Sequence, residues 1–460
     1  MITAELLAKH DRPGPRYTSY PTAVDFTDAF GPDEHADRLR AAARDRPNEA
    51  LSLYVHLPFC KARCAFCACH VVVARNPRLV TGYLDRVIAE ASLVANGLSG
   101  RRRVDQMHWG GGTPTAYEPS ELELLHGALE RCFDIAPDAE LAVEVDPRIT
   151  TIEHIDTLVG LGFNRLSMGV QDLDPEVQVL IGRNQTPEQT TALYAAARSA
   201  GFRSINLDLI HGLPGQTETT MRQTLDTVLA MRPDRLAVYP FAFVPWMRPH
   251  QRRIDETLIP DTSTRLRLFA QTRNTLVDAG YRPIGMDHFA LPDDDLAVAD
   301  AAGTLGRTFM GYTPSASAEV VALGTSGISD IDGAYAQNHR RLASYLAAVD
   351  SGELPVERGH RLTADDLLRR EVITAVMCRW GVDLGEVARR HGVEASNYFS
   401  NELTALSEAG GLVDEELATV DGLQIRLTEQ GRPFVRRLAQ VFDAHTARRS
   451  TDRPTFSRAL

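Results

Sequence analysis

The stretch LSLYVHLPFCKARCAFCACH, residues 51–70, runs an apolar segment straight into four of the chain's six cysteines. Residues 51–59 read as a strand, and Cys60, Cys64, Cys67 and Cys69 follow where that strand gives way to a loop. Three thiolates spaced CxxxCxxC can wrap one face of a cubane and leave its fourth iron open. Structural zinc is the competing reading. Zinc sites usually draw ligand pairs from separated segments, whereas here one loop holds all four cysteines, which favours iron–sulfur. Cys132 and Cys378 fall in helical stretches and read as small buried hydrophobes.

Outward from this loop the chain alternates β-like and helical segments. Further strands are expected at 104–112, 140–147, 165–171, 204–212, 235–243 and 284–289. Between them, Ser120 with Glu123, Thr150 with Glu153, and Thr186 with Gln189 fit capping boxes that open helices. Leu122, Leu125, Leu129 and Cys132 recur at steps of three and four, the face of a buried helix. Repeated β-then-α units predict an α/β fold with a parallel sheet rolled into an open or closed barrel. In such barrels chemistry collects where strands end. Gly110–Gly112 with Thr113, Glu144, Asp146, Gln171 and Asp208 all lie at predicted strand ends, like the cysteines. Residues 1–48 form an N-terminal arm, 49–350 the barrel, and 351–460 a mostly helical, winged-helix-like C-terminal unit opened by a helix capped at Thr363–Asp366.

The chain has 460 residues, 43% hydrophobic and 24% charged, enough apolar material for a large core. No run approaches the roughly 18–20 apolar residues of a membrane span, and the N-terminus lacks the pattern of a secretory leader, so no membrane and a cytoplasmic location are expected. The formal charge of −12 argues against a nucleic-acid partner.

The cysteine spacing with Phe66, and Gly110–Thr113 after the second strand, resemble the radical S-adenosylmethionine superfamily. Across nearly the whole chain the sequence resembles the oxygen-independent coproporphyrinogen III oxidases. The resemblance rests on PRYTSYPTA (15–23), YVHLPFC (54–60), CAFCAC (64–69), HWGGGTPT (108–115), EVDPR (144–148), NRLSMGVQ (164–171), DLIHGLP (208–214), GMDHFA (285–290) and YAQN (335–338). It implies a radical SAM partial TIM-like barrel carrying a [4Fe-4S] cluster on Cys60, Cys64 and Cys67, with Cys69 not a ligand. It further implies two S-adenosylmethionine molecules. Tyr54, Gly111 and Glu144 match contacts of the cluster-bound one; Phe66, Gly112, Thr113, Gln171, Arg183, Asp208 and Ala242 match contacts of the second, with Ile328 in the same lining. Cys69, His56 and Tyr54 are the candidate catalytic side chains, although a buried structural role suits His56 almost as well.

The implied activity is oxidative decarboxylation of two propionates of coproporphyrinogen III to vinyl groups, in heme biosynthesis, by a monomer supplied with electrons by a flavodoxin or ferredoxin. The arm with Arg16, Tyr17 and Tyr20 is the expected lid. Arg248, Arg252 and Arg253 either meet propionates or form a solvated basic face. Met310 and Phe243 depart from common family residues, glutamine and histidine, and PSASAE (314–319) replaces a more polar stretch. The alternatives are another radical SAM reaction (methyl transfer, cyclopropanation, heme-ring opening) or a heme chaperone, against which Cys69 and the RYTSYP arm speak.

Overall fold

The computed structural model describes residues 12–74, 76–314 and 319–448, with residues 6, 9, 10 and 456. Within PSASAE, residues 315–318 lie outside these. Six parallel strands form the centre: β1 (Leu51–Leu57), β2 (Arg103–Gly111), β3 (Asp134–Val145), β4 (Arg165–Gln171), β5 (Ser204–His211) and β6 (Arg235–Pro240). They belong to a twelve-stranded sheet that also takes β7 (Arg282–Ile284), β8 (His288–Ala290), β9 (Val320–Leu323), β10 (Ile328–Ile331), β11 (Ala334–Asn338) and β12 (Val356–Arg361). The spatial order is β12-β11-β10-β9-β1-β2-β3-β4-β5-β6-β8-β7, with β9 parallel to β1 and β8 antiparallel to β6. The sheet therefore does not close as a full TIM barrel would.

Alternation along the strands sets the two faces. Leu53, Val55, Met107, Trp109, Leu141, Val143, Leu166, Met168, Leu207 and Leu209 join the core shared with the surrounding helices. Those helices are α1 (Pro32–Asp45), α2 (Pro77–Leu98), α3 (Pro119–Cys132), α4 (Ile152–Gly160), α5 (Pro187–Ala200) and α6 (Glu218–Met231). The opposite face carries Gln106, His108, Glu140, Glu144, Arg165, Ser167, Asn206 and Asp208 into the barrel interior. A polar lining inside an apolar shell leaves the interior available for a polar ligand.

Several local expectations shift. Helix α3 is boxed by Glu118 with Glu121, not Ser120 with Glu123, because Pro119 takes the first helical position. Helix α4 is capped by Thr151 with His154, while the Thr150 hydroxyl donates to the Asp146 carbonyl at 2.9 Å. Thr186 with Gln189 opens α5 as expected. The single strand expected at 284–289 is a hairpin, β7 and β8 paired antiparallel, turning at Gly285 with φ +53°. The strand expected to reach 243 ends at Pro240, which lacks the donor to continue the ladder. Cys378 is buried, but Cys132, at the end of α3, is only half-buried.

The helix capped at Thr363–Asp366 is α7 (Ala364–Arg379). Beyond it a three-stranded antiparallel sheet (residues 381–383, 418–421 and 424–427) packs with short helices, ending in α8 (Ala444–Arg448). Strand β12 lies past residue 350 yet extends the main sheet beside β11.

Candidate functional site

The cysteine loop is pinned at both ends. Phe59–Cys60 pairs in parallel with Val72–Val73, and the Thr113 amide donates to the Phe59 carbonyl at 3.0 Å. From the side, Gln251 donates to the Phe66 carbonyl (3.1 Å) and the Ala242 carbonyl (3.0 Å), and the His250 Nε2 meets the Cys67 carbonyl at 2.8 Å. The short helix 249–253 that supplies this brace also holds Arg252 and Arg253, both exposed, which fits the solvated-face alternative for that pair. Phe66 packs against an apolar cluster with Val177, Ile181, Ile210 and Phe243.

The three glycines at the end of β2 have a packing reason. A Cβ on Gly110 would lie 2.7 Å from the Glu144 carboxylate, on Gly111 2.4 Å from the His56 ring, and on Gly112 2.4 Å from the Pro58 carbonyl. Gly111 also has φ +111°, a conformation side chains resist. The bare strand end thus lets the loop, β1 and β3 meet.

Cys60, Cys64, Cys67 and Cys69 line one cavity of about 150 Å³ with Phe66, Gly111, Gly112, Thr113, Glu144, Gln171, Arg183 and Asp208. Expected site residues from five strand ends are thus gathered in one place. Ala242 is linked to Phe66 through Gln251. Ile328 sits apart in the sheet, opening β10 two strands from β1. Gln171 is held at φ +69°, an uncommon conformation for a non-glycine residue that aims the strand end at the cavity.

Two guanidinium groups face the Cys64 sulfur: Arg148 Nη2 at 3.5 Å and Arg183 Nη1 at 3.7 Å. Arg148 is anchored by Asp146 through Nε at 3.0 Å, and the Thr113 hydroxyl lies 3.5 Å from the Cys60 sulfur. A hydrogen bond from Cys69, with Arg63 and Arg248 nearby, lowers the Cys67 thiol to about 6, while the same bond and burial push the Cys69 thiol up. The soft sulfur donors of Cys60, Cys64 and Cys67, gathered from one loop around one cavity, suit a cubane face. The residues present fit a [4Fe-4S] cluster.

Burial lowers the His56 pKa to about 4, so the ring is neutral. Its Nε2 donates to the His70 carbonyl at 3.0 Å, which leaves Nδ1 to accept from the Tyr54 hydroxyl at 3.0 Å. Tyr54 and His56 are therefore held by each other and by the loop. Glu144 faces burial that raises its pKa, but hydrogen bonds from His108 (3.1 Å) and the Gly111 amide (3.1 Å) overcome it and keep it ionised. Burial, with Glu144 nearby, pushes Asp208 up to about 7 despite bonds from Asn206 (2.8 Å) and Ser167 (3.3 Å). Glu144 and Asp208 also line the interior cavity of about 130 Å³, together with Met310, Tyr239 and His288.

The arm is docked on both the barrel and the C-terminal unit. Arg16 is ion-paired to Asp287 and lies 5.4 Å from the centre of the Tyr239 ring. Tyr17 and Tyr20 are buried against the C-terminal unit; the Tyr17 hydroxyl donates to Asp443 at 2.9 Å and the Tyr20 hydroxyl accepts from the Ala444 amide at 3.1 Å. Arg148, His108, His250 and Gln251 carry no distinguishing signal as individual residues in the sequence. Only EVDPR and HWGGGTPT, motifs already containing Arg148 and His108, carried a signal for them.

Residues 54–228 match the Radical SAM superfamily, and residues 362–434 match the HemN C-terminal domain. The oxygen-independent coproporphyrinogen III oxidase of Pseudomonas aeruginosa is 40% identical over 461 residues, covering 99% of this chain and 98% of that protein. The protein of the same name from Escherichia coli is 40% identical over 455 residues, again at 99% and 98% coverage. A solved structure of coproporphyrinogen III oxidase (HemN) from Escherichia coli, described as a radical SAM enzyme, superposes with a TM-score of 0.89 at 40% identity, covering 94% of this chain and 97% of that one.

Proposed function

The chain belongs to the oxygen-independent coproporphyrinogen III oxidase family, and from that premise we propose that it converts two propionates of coproporphyrinogen III to vinyl groups, releasing carbon dioxide, as a radical SAM oxidoreductase of heme biosynthesis. The observation that carries this reading is the gathering of Cys60, Cys64 and Cys67 with Glu144 and Asp208 around one cavity at the strand ends. When bound, the cluster and S-adenosylmethionine would supply a 5′-deoxyadenosyl radical for removing a hydrogen atom from each propionate, the one electron left when carbon dioxide departs passing to an electron acceptor.

The chain's own residues set position and charge. Cys60, Cys64 and Cys67 would hold the cluster, and Glu144, kept ionised, offers a counter-charge to the sulfonium and amino groups of the cofactor. Asp208, Gln171 and Arg183 line the same cavity and suit a second S-adenosylmethionine, the carboxylate accepting from ribose hydroxyls. Tyr54 and His56, locked together by their hydrogen bond, back Gly111, whose strand end lines the cavity. Cys69, beside Cys67 in the cavity lining, is not among the proposed cluster ligands and is placed to meet substrate. Holding the reacting carbon beside the radical, away from water, provides selectivity. A flavodoxin or ferredoxin is the proposed electron donor, to a cytoplasmic monomer; no helix among the described residues is long and apolar enough to cross a membrane.

The test is an anaerobic incubation of iron-reconstituted protein with S-adenosylmethionine, reductant and coproporphyrinogen III, following 5′-deoxyadenosine and tetrapyrrole masses together. Deoxyadenosine with loss of two carboxyl groups is expected. Deoxyadenosine over an unchanged tetrapyrrole would assign the radical machinery to a different substrate.

A further inference from the structure

Far from the cysteine loop, three potential metal ligands from separate segments meet. His360 comes from β12, Asp366 from the first turn of α7, and His445 from α8. Their ligand atoms all lie within 4.8 Å of one another. His445 Nε2 is 2.7 Å from one Asp366 carboxylate oxygen, and His360 Nε2 is 3.2 Å from the other. The two rings stand edge to face with centroids 5.6 Å apart, so both Nε2 atoms converge on the carboxylate.

The surroundings match what a metal ligand set needs. His445 turns its other nitrogen toward Asp25, but Nδ1 to Oδ1 at 4.0 Å is beyond hydrogen-bonding distance. The Asp443 carboxylate accepts from the His445 and Thr446 amides at 2.9 and 2.8 Å and fixes the start of α8. Asp366 is itself anchored, its Oδ2 accepting from the Thr363 amide and hydroxyl at 2.9 and 2.7 Å. Asp366 is 2% exposed, while each histidine side chain keeps 19% exposure, which leaves an entry path. The charges acting on His445 are Asp366, Asp25 and Asp443, all negative.

We propose that His360, Asp366 and His445 form a divalent-metal site of the zinc class, with water completing the coordination. Two imidazoles and a carboxylate match the donor preference of zinc. Asp366 in the site and Asp25 nearby offset the positive charge of the ion. The metal would tie the edge of the main sheet to the C-terminal unit, a structural clasp independent of the cluster.

The test uses cluster-loaded enzyme, so that the loop thiolates are occupied, dialysed anaerobically against zinc chloride. Elemental analysis is expected to count one zinc per chain. Zinc-edge X-ray absorption should show only nitrogen and oxygen neighbours, at about 2.0–2.2 Å. His445→Ala and His360→Ala should each lose that zinc with iron content unchanged. No retained zinc in the wild-type protein, a sulfur neighbour at about 2.3 Å, or equal zinc in the histidine variants would overturn the proposal. Should a variant not fold, the wild-type count and absorption spectrum decide alone.

Discussion

Arg148 shows how much a single side chain can contribute at this site. Its guanidinium is held by Asp146 and by the Arg183 carbonyl at 2.9 Å, and it aims one N–H at the Cys64 sulfur. Hydrogen bonds to a cluster sulfur favour the more negative, reduced state and raise its potential. Arg148→Gln should therefore keep its iron and lower the midpoint. A loss of about 1 kcal/mol between oxidation states corresponds to roughly 40 mV for one electron. A reductive titration followed by electron paramagnetic resonance reads this directly, and an unmoved midpoint would remove Arg148 from that role. The motif EVDPR marked the neighbourhood, but its arginine is connected to Cys64 only by the fold, 84 positions along the chain. The same holds for Tyr54 and His56: a two-residue spacing places them on one strand face, yet which nitrogen carries the proton follows from the His70 carbonyl.

At the scale of elements, α1 lies over the core through His35 and Leu39, both buried. Burial lowers the His35 pKa to about 4, below the 6.5 of an exposed histidine. Between those values the unfolded chain binds a proton that the folded chain does not, so stability falls as pH drops from 6.5 toward 4, by up to about 1.4 kcal/mol per unit. His35→Leu should flatten that part of the profile, measured as the urea midpoint against pH; an unchanged slope would mean that other buried histidines such as His211 dominate. The central strands were legible because one face is continuously apolar and each run is bounded by turn residues. Caps were less so. Thr150 and Thr151 are both good capping residues, and only the placement of Asp146, which takes the Thr150 hydroxyl, makes Thr151 the cap. The hairpin at β7 and β8 was hidden because its two three-residue strands read as one short apolar run.

At the scale of the whole molecule, the N-terminal arm joins the barrel to the C-terminal unit. The apolar arm residues Tyr17 and Tyr20 share a core with Val372, Val376, Leu438 and Phe442, while Arg16 is paired with the buried Asp287 beside the interior. Arg16→Ala removes one partner of that carboxylate, which keeps its hydrogen bond with the His288 ring Nδ1 at 2.7 Å, and should cost about 1.5 kcal/mol. Cluster iron should be retained, while limited proteolysis should cut the arm and the C-terminal unit faster; unchanged cleavage would show that the tyrosines hold the seam alone. Nothing in RYTSYP could have told a clamp from a lid, because both use aromatic and basic residues and differ only in which surface receives them. The cysteine loop has a comparable whole-molecule consequence. Its ends are tied by Phe59–Cys60 with Val72–Val73, its middle is braced from helix 249–253, and the bare glycines let the neighbouring strands close up against it. A loop so held loses less conformational entropy when a cluster forms, so an oxidised centre can be rebuilt on a folded chain, making repair a matter of iron and sulfide supply rather than of new protein.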